Sequence, residues 1–143
     1  VYVIMWKLFV FIVLLEIALN FTMRDTFECI KDHYNVVFWL ILHHISNCFL
    51  NYGWLFNNMI ILSIHLLTTI STLIYWLSNS NLCDLTVYVN KICGWDENAS
   101  FKDLLYMSGI KSIPFWNKIW HYVFIILSGC ISIYKIRRNI VKK

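Results

Sequence analysis

Residues 54–77 read WLFNNMIILSIHLLTTISTLIYWL, a run of 24 residues without a formally charged side chain. As one helix at about 1.5 Å per residue it reaches about 36 Å, enough to cross a hydrocarbon core about 30 Å thick. Trp54 stands at one end and Tyr75 and Trp76 at the other, where interfacial aromatics anchor a membrane helix. The stretch is expected to span a membrane, and the rest of the chain is read outward from it.

Hydrophobic residues make up 59% of the 143 positions and charged residues 14%, whereas a soluble domain carries about 25% charged residues. Three further apolar stretches accompany the central one, giving expected spans at 2–19, 34–50, 54–77 and 115–134. Lys7 and Glu16 interrupt the first. A short turn, Asn51-Tyr52-Gly53, makes spans two and three an antiparallel hairpin, and Pro114 suits the first turn of the last helix. Val1 to Leu15 lacks the basic leader and small-residue cleavage site of a signal peptide, so it is read as an uncleaved span. The expected fold is all-α, a single domain over 1–143. It is an integral membrane four-helix bundle with a partly helical loop, 78–113, between spans three and four.

Inside that loop, Ser100 and Asp103 have the spacing of a capping pair, opening a short helix that stops at Gly109. A second short helix is expected over Leu85 to Cys93, ending at Gly94. Five of the twelve Lys/Arg residues fall in the tail 135–143: Lys135, Arg137, Arg138, Lys142 and Lys143. Directly after a span, such a cluster marks a cytoplasmic end and contacts anionic lipid; no nucleic-acid partner is expected. With an even number of spans both termini lie on that side. The glycosylation triplet Asn98-Ala99-Ser100 in the opposite loop agrees with this orientation.

Polar residues fall on helical stripes. They are Glu16 and Asn20 in span one, and His44, Asn47 and Asn51 in span two. Span three has Asn58, His65, Thr69 and Thr72, and span four Asn117, His121, Ser128 and Ser132. A polar group facing lipid lacks a hydrogen-bond partner, so these stripes are expected to face one another as a polar seam. Interhelical hydrogen bonding is the plain role for such groups. The alternative is a proton or ion path in which Glu16, an acid deep in a span, pairs with His43, His44 or His65; these four are the candidate catalytic residues. Haem is not predicted, because the histidines on different spans lie at unequal depths. Zinc is not predicted either: Cys29, His33, Cys83 and Cys93 fit no compact zinc motif. Cys48 and Cys130 fall within spans. Cys83 and Cys93 flank one short element and are the expected disulfide. The chain has no C-x-x-C, Gly-rich phosphate loop or nucleophile elbow.

Trp76, Asn79, Asn81, Cys83, Leu85 and Thr86 fit the pattern W-x-x-N-x-N-x-C-x-L-T. With His43-His44 upstream, residues 40–134 resemble small multi-span membrane proteins of unknown function encoded by giant DNA viruses. A bacterial membrane family of unknown function carries a similar C-P-L-T element, in which Asp84 stands here for the proline. The resemblance implies a membrane bundle, possession of this corner and a viral or virus-modified membrane; it implies no activity. Residues of the corner are read as caps for the helix ends, or more sharply as a binding or catalytic corner with His43 and His44. The leading expectation is a non-enzymatic structural or interaction component with lipid and membrane-protein partners. The alternative is a small membrane enzyme or transporter using the His/Glu/Asn seam.

Overall fold

The computed structural model describes residues 2–79, 83–97, 99, 101–102, 104–107 and 114–141, without the side chains of 2, 3, 104, 105, 114–118, 120 and 121. The expected capping pair, the stop at Gly109, the glycosylation triplet's Asn98 and Ser100, and Asn81 lie outside these residues, as does the side chain of His121. The described chain is all-helical. Its elements are α1 (Tyr2–Thr22), α2 (Arg24–Asp32), α3 (Val36–Tyr52), a 3₁₀ turn (Gly53–Leu55), α4 (Met59–Ser78), α5 (Asp84–Ile92), α6 (Leu104–Met107) and α7 (Pro114–Val141). Among the described residues two stretches are long and apolar enough to cross a membrane, Ile4–Thr22 and Met59–Ser78.

The run at 54–77 is not one helix. Its first residues form the 3₁₀ turn, and Phe56 to Asn58 leave helical geometry. Asn58 then caps α4, its side-chain oxygen accepting from the amides of Ile60 at 2.9 Å and Ile61 at 3.2 Å. The asparagine fills the orphan-donor role that every helix start presents, so it is a cap and not a member of the seam. Other bounds shift: the expected span 34–50 is a helix over Val36–Tyr52, so Asn51 and Tyr52 close that helix rather than form the turn. The first helix continues to Thr22, and α7 runs through the basic tail to Val141.

Two apolar clusters fill the interior. Phe9, Val13, Cys48 and Phe56 join α1, α3 and the segment before α4. Cys29, Val36, Leu40 and Val89 join α2, α3 and α5. The broadest packing is α4 on α7 and α1 on α3, while α3 also meets α5 and α7. Trp6 lies beside Phe56, with ring centroids 5.5 Å apart. At that same end Lys135 Nζ donates to the Trp54 carbonyl at 2.7 Å. The start of α1 and the later turns of α7 therefore meet the same 3₁₀ connection. Burial lowers the Lys135 ammonium from its usual value.

Two glycines fix connections. Gly94 has φ 66° and ends α5: the Trp95 amide donates back to the Asn90 carbonyl at 2.8 Å, in the pattern of a left-handed helix stop. At Gly53 an added Cβ would overlap the His65 ring, with Cγ only 2.9 Å away. The ring is wedged between α3 and α7 and has nowhere to retreat. Gly53→Ala should therefore cost about 1–3 kcal/mol, the range for overpacking a filled interior. A lowered melting temperature in detergent checks this; an unchanged one would show that the turn gives way instead.

Candidate functional site

The seam resolves into two polar centres. The first is built on the last turn of α3, where the carbonyls have no helical partner. The Leu50 carbonyl accepts from His65 Nε2–H at 3.1 Å and from the Ser128 hydroxyl at 2.8 Å. The Asn51 carbonyl accepts from the Trp54 indole at 2.8 Å. Because Nε2 carries the proton toward a carbonyl, Nδ1 is the acceptor, and it takes the Ser132 hydroxyl at 2.8 Å. One neutral imidazole thus spends both nitrogens tying α3, α4 and α7 together. Thr69 returns its hydroxyl to the His65 carbonyl at 2.7 Å, and Asn51 bonds Asn47 within α3. Thr72 is half-buried. His65 is accordingly committed to structure, with no ring nitrogen left for a substrate.

The second centre lies toward the opposite end of α3. Glu16 on α1 meets His44 on α3, with Nδ1 to Oε2 at 3.2 Å and side-chain exposures of 2% and 0%. An acid inside a helical assembly needs a partner, and of the three histidines proposed for Glu16 the structure selects His44. Nδ1–H donating to the carboxylate leaves Nε2 at the far edge of the ring, buried and without a hydrogen bond. One turn along α1, Asn20 donates to the Lys102 carbonyl at 2.9 Å, while its own side-chain oxygen is buried and unpaired.

His43, the neighbour of His44, faces α5. Thr86 Oγ1 lies 3.5 Å from its Nδ1, and Cys83 Sγ lies 3.9 Å from its Nε2. Phe101 stacks on His43 with centroids 3.6 Å apart and touches His44 at 4.7 Å, so one ring covers both imidazoles. The segment carrying Phe101 is fixed on each side. Lys102 Nζ reaches Asp25 at 3.2 Å and sits 3.9 Å over the Trp95 ring. Asn90 donates to the carbonyls of Asp96 at 3.1 Å and Ala99 at 2.9 Å.

The expected Cys83–Cys93 disulfide does not form. Cys93 pairs instead with Cys29, tying α2 to the end of α5 across Cα atoms 5.2 Å apart. The reason is geometric: α5 occupies the nine residues between the two cysteines. At about 1.5 Å per residue it holds them about 15 Å apart, twice the reach of a disulfide. Cys83 is half-buried and takes part in no disulfide. Of the W-x-x-N-x-N-x-C-x-L-T corner, Cys83 and Thr86 converge on His43. Asn79 instead turns outward, donating to Asp84 at 3.1 Å and to the Tyr75 hydroxyl at 2.8 Å, and Trp76 packs edge-on to Tyr122.

Three contributors were not foreseen. Asn90 captures carbonyls of the loop that follows it, while Phe101 and Lys102 meet His43, His44 and Asn20 from far along the chain, and no helical spacing encodes such contacts. No protein-family model matches the chain, and neither the curated proteins nor the solved structures include a match.

Proposed function

We propose that the chain is a multi-pass integral membrane protein serving as a structural or interaction component of its membrane. The observation that carries this reading is the inverted distribution of polarity. Glu16, Asn20, His44, His65, Thr69 and Ser132 are buried, while Phe11, Leu14, Ile60, Leu67, Ile74 and Leu77 stand exposed on α1 and α4, Leu77 at 74%. Burying one such apolar side chain is worth about 1.5–3 kcal/mol. A water-exposed fold with this surface would forgo that many times over, whereas lipid accepts it without cost. Glu16 with His44 and His65 with Ser132 bond across helices, as membrane helices do in the absence of a hydrophobic drive between them.

Four membrane crossings, by α1, α3, α4 and α7, agree with the shared position of α1's start and α7's end. A cytoplasmic location for that end fits the exposed Arg137 and Arg138, which are placed to meet anionic headgroups. The opposite end carries the Cys29–Cys93 disulfide, in keeping with an oxidising side. The resemblance of residues 76–86 to giant-virus membrane proteins extends the proposal to a viral or virus-modified membrane.

The test is extraction. The expressed chain should stay in the membrane pellet after an alkaline carbonate wash and enter solution only with detergent. Release by carbonate alone would overturn the membrane reading. A second reading, a small membrane enzyme or transporter, rests on one feature: Glu16 holds His44 with its Nε2 buried and unspent.

A further inference from the structure

We propose that Cys83 is a thiol–disulfide exchange site with His43 as its base, acting on an accessible disulfide brought from outside the chain. Cys83 immediately precedes α5, half-buried and so reachable. Its sulfur faces His43 Nε2 at 3.9 Å, and Thr86 meets the opposite ring nitrogen at 3.5 Å. With Nδ1–H donating to the Thr86 oxygen, Nε2 presents its lone pair to the thiol. A nucleophile, a base and a group orienting that base are the parts an activated thiol requires. Phe101 stacked on His43 holds the ring in place.

Chemistry on the same element points to a disulfide as the electrophile. Cys29 and Cys93 are already oxidised to a disulfide at the far end of α5, so this end of the molecule belongs to an environment in which thiols meet disulfides. Cys83 cannot join Cys93 across the intervening helix, and an unpaired cysteine in such surroundings is a reactive or intermolecular thiol. The step balances without an added oxidant. His43 takes the Sγ–H proton as the Cys83 sulfur attacks one sulfur of the incoming disulfide. The new S–S bond forms as the old one breaks. The departing sulfur leaves with the bonding pair and collects the proton from the His43 imidazolium. With Cys93 out of reach to resolve it, the product is a lasting mixed disulfide.

Glutathione disulfide is the test reagent, applied to the detergent-purified full chain, with the modified residue located by peptide mass spectrometry. Cys83 should form the mixed disulfide about tenfold faster than the same residue in His43→Gln, as expected when a neighbouring imidazole assists a thiol. Cys83→Ser should remove the adduct. His43→Gln keeps a side chain under Phe101, and an intact Cys29–Cys93 bond with unchanged helical circular dichroism reports its folding. Should it fail to fold, Thr86→Val, which frees the imidazole without removing it, must slow the reaction. Equal rates in wild type and the folded variant, or an adduct on Cys48 or Cys130 instead, would overturn the proposal. Neither result depends on whether the chain spans a membrane.

Discussion

His44→Ala should destabilise the protein by about 3–5 kcal/mol, the range for leaving a buried charge uncompensated. It strands the Glu16 carboxylate, whose side chain is 2% exposed. Glu16→Ala should cost somewhat less, because what it strands is a neutral imidazole N–H, an orphan worth about 1–3 kcal/mol, plus the cavity left by the carboxyl group. Glu16→Gln should be mildest, under about 1.5 kcal/mol, since the amide oxygen can still accept from Nδ1–H at the cost of a charge-assisted bond. The order follows from which group remains unpaired, so it is a sharper test than any one value. Unfolding in detergent, followed for the two alanine variants and their double mutant, measures the coupling directly; the double mutant should cost less than the two singles added together. Additive losses would mean that the 3.2 Å contact contributes nothing. Glu16→Gln also separates the two functional readings. If it inserts and folds like wild type but abolishes proton flux in reconstituted vesicles, the transporter reading supersedes the structural one.

Much of this arrangement is legible in the sequence, and the reason is physical. In a chain with few charges, a buried carboxylate and histidines at helical spacing must turn inward, so Glu16, His44, His65, Thr69, Ser128 and Ser132 could be assigned to one seam. Which histidine meets Glu16 depends on the depth and rotation of α1 against α3, and periodicity fixes neither. The break at Phe56–Asn58 was readable in principle: two adjacent asparagines before an unbroken apolar run are a helix-start signal. A search for charges alone passes over them. The disulfide assignment contained its own contradiction. A helix over Leu85 to Cys93 already held Cys83 and Cys93 apart, leaving Cys29 as the partner on that side of the molecule. What stayed hidden is the role of Phe101 and Asn90, because ring stacking and carbonyl capture from a loop leave no repeating trace in sequence.

Opening the Cys29–Cys93 bond should have an effect comparable to breaking the Glu16–His44 pair, though distributed differently. The bond joins residues 64 apart in sequence, and closing a loop of that length in the unfolded chain corresponds to about 4 kcal/mol in the chain-entropy description. Cys29→Ser/Cys93→Ser should therefore lower the unfolding midpoint markedly, while Cys83→Ser, which removes no crosslink, should shift it by less than about 1 kcal/mol. The loss should also be local. α5 is held to α3 by Val89 packing on Val36 and Leu40 and by Thr86 at His43, whereas the disulfide ties its far end to α2. The segment after α5 carries the Phe101 ring and Lys102, so freeing that end loosens the cover over both imidazoles. α4 and α7 close on each other through His65 and Ser132 and do not depend on α2. Hydrogen exchange should accordingly rise over residues 84–102 and leave α4 protected. Uniform loss of protection through α4 would show instead that the molecule opens as a single unit, with the crosslink holding both polar centres at once.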